Sequence, residues 1–196
     1  IGVGLVGSEM CIRDRSLTYS SMLDLDTNFI EFDLINTLNN ENFKSVSLDN
    51  KPILIMFICN HCPYVIHYHD EIKKLNDDYS NQINMIAISS NDAINYPQDG
   101  PNEMKEMWKK LKLSFPYLYD ETQEIAKAYK AECTPEFYLF NEQKRLVYRG
   151  RFDETSPGSN QAPHGSDLRK AIACMINNQK ISTNQFPSMG CNIKWK

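Results

Sequence analysis

The chain has 196 residues, 41% of them hydrophobic and 23% charged, with a formal net charge of −4. That length and composition suit one globular domain with a real core. The slight acidity gives no electrostatic case for nucleic acid, and apolar runs of about six residues are too short to span a bilayer.

Taken in order, the chain opens oddly. Val6-Gly7-Ser8-Glu9-Met10-Cys11-Ile12-Arg13-Asp14-Arg15 reads like a translated sequencing-adapter read-through at the end of a gene model. A signal peptide would need a basic start and a longer apolar stretch. The expectation is therefore a non-native leader over 1–16 and a single domain over 17–196, ending in a tail over 180–196. Setting Cys11 aside leaves five of the six cysteines: Cys59, Cys62, Cys133, Cys174 and Cys191. An odd, widely spread set does not look like a secreted disulfide scaffold. With no signal visible, the cytoplasm is the default compartment.

Residues 29–34 (Phe-Ile-Glu-Phe-Asp-Leu) alternate and predict a strand, and 43–48 (Phe-Lys-Ser-Val-Ser-Leu) predict its hairpin partner. Residues 53–58 (Ile-Leu-Ile-Met-Phe-Ile) are wholly apolar and predict a strand buried on both faces. Val65, Tyr68, Ile72, Leu75 and Tyr79 recur at helical spacing and predict a helix over about 62–79. A strand over 83–89 follows, then a loop over 91–101 with Pro97, Gly100 and Pro101. Pro101 suits a helix start, and Met104, Met107, Trp108 and Leu111 give that helix an apolar face. Residues 115–119 are extended, and Asp120 is placed to cap a short helix carrying Ile125, Ala128 and Tyr129. Strands over 137–140 and 146–152 form a hairpin. Residues 153–164 form a long Ser/Pro/Gly/Asn loop. Ser166 is read as the cap of a last helix, and the tail shows no period. This order implies a mixed sheet covered by helices.

The chemistry lies in Cys59-Asn60-His61-Cys62-Pro63, at the seam between buried strand and helix. Cα atoms three apart in a first helical turn lie roughly 5–5.5 Å from each other, inside the disulfide window. A helix N-terminus favours negative charge, so Cys59 is expected to ionise more easily than a free thiol, helped by an imidazolium at His61. Half a zinc site is the other reading of C-x-x-C, but no second pair exists. His69 stands roughly 10 Å further along the helix and His67 points elsewhere, so neither completes a tetrahedral site.

At these motifs the chain resembles the thioredoxin-like superfamily, within it the redoxin branch of peroxiredoxin-like and thiol-disulfide-exchange proteins. The anchors are Phe57-Ile58-Cys59-Asn60-His61-Cys62-Pro63-Tyr64, Ser89-Ser90-Asn91-Asp92, Phe115-Pro116-Tyr117-Leu118-Tyr119-Asp120, Cys133-Thr134-Pro135-Glu136-Phe137, Tyr148-Arg149-Gly150-Arg151 and Gly190-Cys191-Asn192-Ile193-Lys194-Trp195. The resemblance implies an α/β thioredoxin-like fold: a mixed central sheet flanked by helices, an N-terminal hairpin, and an inserted strand and helix between the C-x-x-C pair and a cis-proline. It places that cis-proline at Thr134-Pro135, facing the cysteines. It implies exchange through a mixed disulfide, with Cys59 attacking, Cys62 resolving and His61, Thr134 and Pro135 in support. It also implies protein or small-molecule disulfide partners, an external reductant, and no bound cofactor or metal.

Three departures bear on activity. Ile58 replaces the family's tryptophan. The strand over 53–58 carries no acid. Met56 stands where a peroxide-reducing member carries a hydroxyl, which disfavours the peroxidase alternative. A copper- or zinc-binding chaperone using Cys59, Cys62 and a distant His164 is the other alternative. Cys133 is open between a place near the active pair and a small buried apolar role. Cys191 is open between a relay thiol and a buried anchor. Cys174 reads as a core thiol.

Overall fold

The computed structural model describes residues 17–196; the expected leader over 1–16 lies outside them. Two sheets organise the chain. The larger has seven strands: β2 (Asp33–Asn36), β3 (Glu41–Lys44), β4 (Ile53–Phe57), β5 (Asn84–Ser89), β6 (Tyr117–Tyr119), β8 (Glu136–Phe140) and β9 (Leu146–Gly150). Their spatial order is β3-β2-β6-β5-β4-β8-β9. β5 runs parallel to both β4 and β6, while the remaining neighbours are antiparallel, so the sheet is mixed as expected. A smaller sheet joins β1 (Leu17–Tyr19), β10 (Met189–Asn192) and β7 (Cys133–Thr134) in the order β1-β10-β7.

Helices cover both faces. α1 (Pro63–His67), α2 (His69–Tyr79), α3 (Pro101–Leu111), α4 (Glu124–Ala128) and α5 (Ser166–Ile176) carry the apolar stripes read from the sequence. β4 shows why the sheet must lie between two layers. Leu54 and Met56 pack with Val65, Ile72, Leu75, Met104, Leu168 and Ile172. Ile53, Ile55 and Phe57 pack on the opposite face with Phe29, Tyr129, Tyr138 and Phe140. At about 1.5–3 kcal/mol for each large apolar side chain withdrawn from water, a strand with two apolar faces is stable only when both are covered.

The departures from expectation have local causes. The N-terminal hairpin is present but shifted, because 3-10 geometry takes over at Ser45–Ser47 and Ser45 Oγ accepts the Phe32 amide at 2.8 Å. The helix expected over 62–79 divides at Tyr68, whose amide makes a tight bond to the Val65 carbonyl. Gly165, at φ 64°, precedes α5, so Ser166 is the first helical residue and not the cap. Asp120 does cap α4, from further upstream than a usual N-cap, accepting the Ala126 amide at 2.9 Å. The loop over 153–164 is tied down: Asp153 accepts the amides of Thr155, His164 and Gly165 and the Tyr68 hydroxyl. Among the described residues, no helix is long and apolar enough to cross a membrane.

Candidate active site

β4 ends at Phe57, and Ile58 extends the ladder by one bond to the Ile88 carbonyl. The chain then turns through Cys59, Asn60 and His61 before α1 begins. The helix starts later than expected: Cys62 is its N-cap and Pro63 occupies the first turn. Both cysteines are buried and unlinked.

Across from them runs the Thr134-Pro135 turn, whose peptide is cis. Thr134 touches both sulfurs: its Oγ1 lies 3.3 Å from Cys59 Sγ, and its carbonyl oxygen accepts from the Cys62 thiol at 3.1 Å. The turn is braced from behind by β10. Cys191 pairs with Thr134 in register, and a Cβ at Gly190 would stand 2.0 Å from the Thr134 carbonyl oxygen. The second sheet therefore fixes the turn against the dithiol, and only glycine fits at the closest approach.

The electrostatics correct one expectation. Burial pushes the Cys59 thiol well above its usual range, reinforced by Cys62 and the negative charge of Asp99. Burial also acts against Cys62, but donors from Cys191, Cys59, Thr134 and the Val65 amide outweigh it and hold that thiol well below its usual range. The helix terminus that was expected to favour a charge on Cys59 acts on Cys62 instead, because Cys62 is the residue at the cap.

His61 and Asp99 form the other side of the site. Asp99 is fully buried in a 3-10 turn, Pro97–Asp99, just before α3. Its Oδ1 accepts the amides of Asn60 and His61 at 2.8 and 3.1 Å. Its Oδ2 accepts Asn91 Nδ2 at 2.8 Å and His61 Nδ1 at 2.5 Å. The His61 ring stacks on Tyr96, with centroids 5.9 Å apart and planes 8° from parallel.

Sequence reasoning missed Asp99, since it read Pro97, Gly100 and Pro101 as loop punctuation and gave the acid between them no role. It also missed Glu136, visible directly after Pro135. Glu136 is buried, accepts Tyr138 Oη at 2.7 Å and the Glu132 amide at 3.0 Å, and burial pushes its carboxyl up to about 7. Cys133 lies against it, Sγ to Oε2 3.9 Å, and burial raises that thiol far above its ordinary range. Cys133 is thus both near enough to Cys62 to feel its charge and held protonated. Cys191 is buried and hydrogen-bonded to Cys62, so the tail both packs into the protein and stands beside the dithiol. Cys174 lies apart, along a recess between α5 and residues 180–186.

Comparison with known proteins accords with this geometry. A family model described as Redoxin matches residues 25–164. The chain belongs to the redoxin family. No curated protein matches the chain. An uncharacterized conserved protein from Geobacillus kaustophilus is 40% identical with a TM-score of 0.89, over 92% of this chain and 97% of that one. A hypothetical protein from Sinorhizobium meliloti is 36% identical with a TM-score of 0.88, over 91% and 98%. A secreted disulfide oxidoreductase from Mycobacterium tuberculosis shares the thioredoxin-like fold at 17% identity and a TM-score of 0.57, over 73% and 95%. A redoxin chain with a buried dithiol at its strand–helix seam has its general chemistry in thiol redox.

Cys59, His61 and Asp99 each offer one ligand atom within 4.8 Å of the others, the one such group among the described residues. Any metal reading of this redoxin would therefore draw on His61 and Asp99, not on His164, which faces Asp153 and Glu154. Yet two ligands on one tetrahedral ion at bonds of about 2.0–2.2 Å stand well over 3 Å apart. The 2.5 Å contact between His61 Nδ1 and Asp99 Oδ2 is a hydrogen bond, and those two atoms cannot both serve one ion as placed.

Proposed function

We propose that the protein is a thiol-disulfide oxidoreductase in which Cys59 attacks and Cys62 resolves. The observation that carries this reading is the double contact of Thr134 with both sulfurs at 3.3 and 3.1 Å, beside a cis-proline turn. A recess of about 270 Å³ continues from Pro135 past Tyr19, Tyr68 and Phe152, which gives a bound segment room.

In the first step Cys59 gives up its proton and attacks one sulfur of a partner disulfide. The partner's S–S bond breaks, a Cys59–partner bond forms, and one partner sulfur leaves with the electron pair. In the second step the Cys62 thiolate attacks Cys59 Sγ, forms the Cys59–Cys62 disulfide and expels the other partner sulfur. The partner is reduced, the dithiol is oxidised, and an external thiol reductant restores it. The low Cys62 thiol suits the resolving step. The partners are protein or small-molecule disulfides, and the chemistry calls for no cofactor.

Reduction of insulin disulfides by dithiothreitol tests this. The protein should accelerate it, and Cys59→Ser should be inert. Peroxide consumption with no disulfide exchange would favour the peroxidase reading instead.

A further inference from the structure

We propose that Asp99 is a positioning residue that clamps the turn between Cys59 and Cys62, so that the inserted segment, and not the helix start, holds the two sulfurs ready to join. This rests on the disulfide-exchange reading and adds to it what sets the redox poise of the pair.

The turn has little else to hold it. Asn60 and His61 belong to no strand or helix. Helix α1 begins only at Pro63 and runs for 5 residues, and its N-cap, Cys62, makes no side-chain capping bond. With its middle unpartnered, such a turn would sample several conformations. Asp99 removes that freedom. One oxygen, Oδ1, accepts both middle amides, Asn60 at 2.8 Å and His61 at 3.1 Å. The Asn60 side chain is held as well. Its Nδ2 donates to the Gln98 carbonyl at 3.1 Å, and its Oδ1 accepts Tyr117 Oη at 3.3 Å. The middle of the C-x-x-C motif is thus gripped at backbone and side chain by residues 38 to 57 positions away.

The clamp is itself anchored. Asp99 is fully buried. Its 3-10 turn closes through the Asp99 amide to the Tyr96 carbonyl at 2.9 Å and the Gly100 amide to the Pro97 carbonyl at 3.0 Å. Its other oxygen, Oδ2, accepts His61 Nδ1 and Asn91 Nδ2, so both oxygens are engaged and the carboxylate cannot rotate without breaking bonds. Asn91 is pinned in turn by the Lys194 amide, 2.9 Å from its Oδ1.

The consequence falls on the redox equilibrium. Once Cys59 and Cys62 are linked, the disulfide restrains the turn, so Asp99 matters most while the pair is reduced. A clamped dithiol has little freedom to lose on closing. A released one must give up the backbone freedom of Asn60 and His61. Loss of the clamp therefore favours the reduced form. Charge acts in the same direction. A carboxylate oxygen of Asp99 lies within 4.8 Å of Cys59 Sγ, and its negative charge opposes ionisation of that thiol, so removing the charge also favours the reduced form. Substitution separates the two effects. Asp99→Asn loses the charge but keeps an oxygen for both amides, whereas Asp99→Ala loses both. The new amide of Asp99→Asn faces His61, whose ring can accept at Nδ1, and gives up the Asn91 contact.

The test is equilibration of the full chain in glutathione buffers, with the Cys59–Cys62 disulfide counted by acid quench and peptide mass analysis. Asp99→Ala should lower the exchange constant by about tenfold or more, since fixing one residue's backbone is worth about that factor. Tenfold corresponds to a pair about 30 mV more oxidising. Asp99→Asn should restore most of the loss. An Asp99→Asn variant displaced as far as Asp99→Ala assigns the effect to charge and overturns the proposal, as does an unmoved Asp99→Ala. A wild-type pair that never oxidises would instead sink the exchange reading, and this inference with it. Should Asp99→Ala not fold, hydrogen exchange on the reduced wild type decides: the Asn60 and His61 amides should be protected, and exchange at the rate of an open loop overturns the clamp.

Discussion

Replacing Glu136 by glutamine removes a carboxyl whose neutral form burial favours. In the unfolded chain this group titrates near 4.5, and in the folded chain burial pushes it up to about 7. A raised folded value means that the stabilising contribution is complete below about 4.5 and is lost as pH rises through about 7. Between those limits the unfolded chain sheds its proton while the folded chain keeps it, so folding weakens. At about 1.36 kcal/mol for each pH unit of the gap, the loss is about 3 kcal/mol. Glutamine has no such titration and can keep the local bonds. Its carbonyl can accept the Glu132 and Cys133 amides, and its amide can face the Tyr138 hydroxyl, which also reaches the Tyr129 carbonyl at 3.2 Å. The assay is urea unfolding of reduced wild type and Glu136→Gln from pH 4.5 to pH 8. The variant should match the wild type at the acid end and exceed it by about 3 kcal/mol at pH 8. His69, whose burial lowers it, works in the opposite sense but is common to both proteins and cancels. A difference that stays constant across the range refutes the reasoning.

Gly190→Ala drives a methyl group into the Thr134 carbonyl, so it should cost about 1–3 kcal/mol and displace the turn that touches both sulfurs; thermal melts and the insulin assay would read both, and an unchanged melt with full activity would contradict the bracing role of β10. Cys191→Ala removes one donor from Cys62, so the thiolate absorbance near 240 nm should appear at higher pH than in the wild type; if the titration is unmoved, Cys191 has no part in the charge. Loss of turnover together with a trapped Cys62–Cys191 disulfide would make it a relay. Asp153→Ala strips the partner from three amides and the Tyr68 hydroxyl and should cost about 3 kcal/mol, opening the loop over 153–164 to proteolysis, whereas wild-type protease resistance would show that the loop is held by other contacts.

Much of this arrangement is legible in the sequence where a signal is local. The apolar run over 53–58 announces a doubly covered strand, and the stripe from Val65 to Tyr79 announces the helices packed on it. Cys59 and Cys62 stand at the junction that the pattern predicts, with Thr134-Pro135 opposite. What escapes notice is long-range. β1 and β7 are short strands that exist because β10 lies between them, pairing Leu17 with Cys191 and Cys191 with Thr134. Nothing within a window of the tail reveals such a partner. Asp99 is unreadable for the same reason: it acquires meaning from amides 38 and 39 positions away. The acidity assigned to Cys59 is displaced because that sulfur is fully buried, while Cys62 gathers hydrogen bonds from Cys191, Cys59 and Thr134, and neither burial nor those partners can be read from the local sequence.

The central claim is a redox couple between Cys59 and Cys62. Its most direct measurement is equilibration of the protein in glutathione buffers of graded ratio, followed by acid quench and peptide mass analysis. One two-electron transition is expected, with a cross-link joining the Cys59 and Cys62 peptides and with Cys133 reduced throughout. A cross-link that excludes Cys59, or a pair that never oxidises across the series, would contradict it.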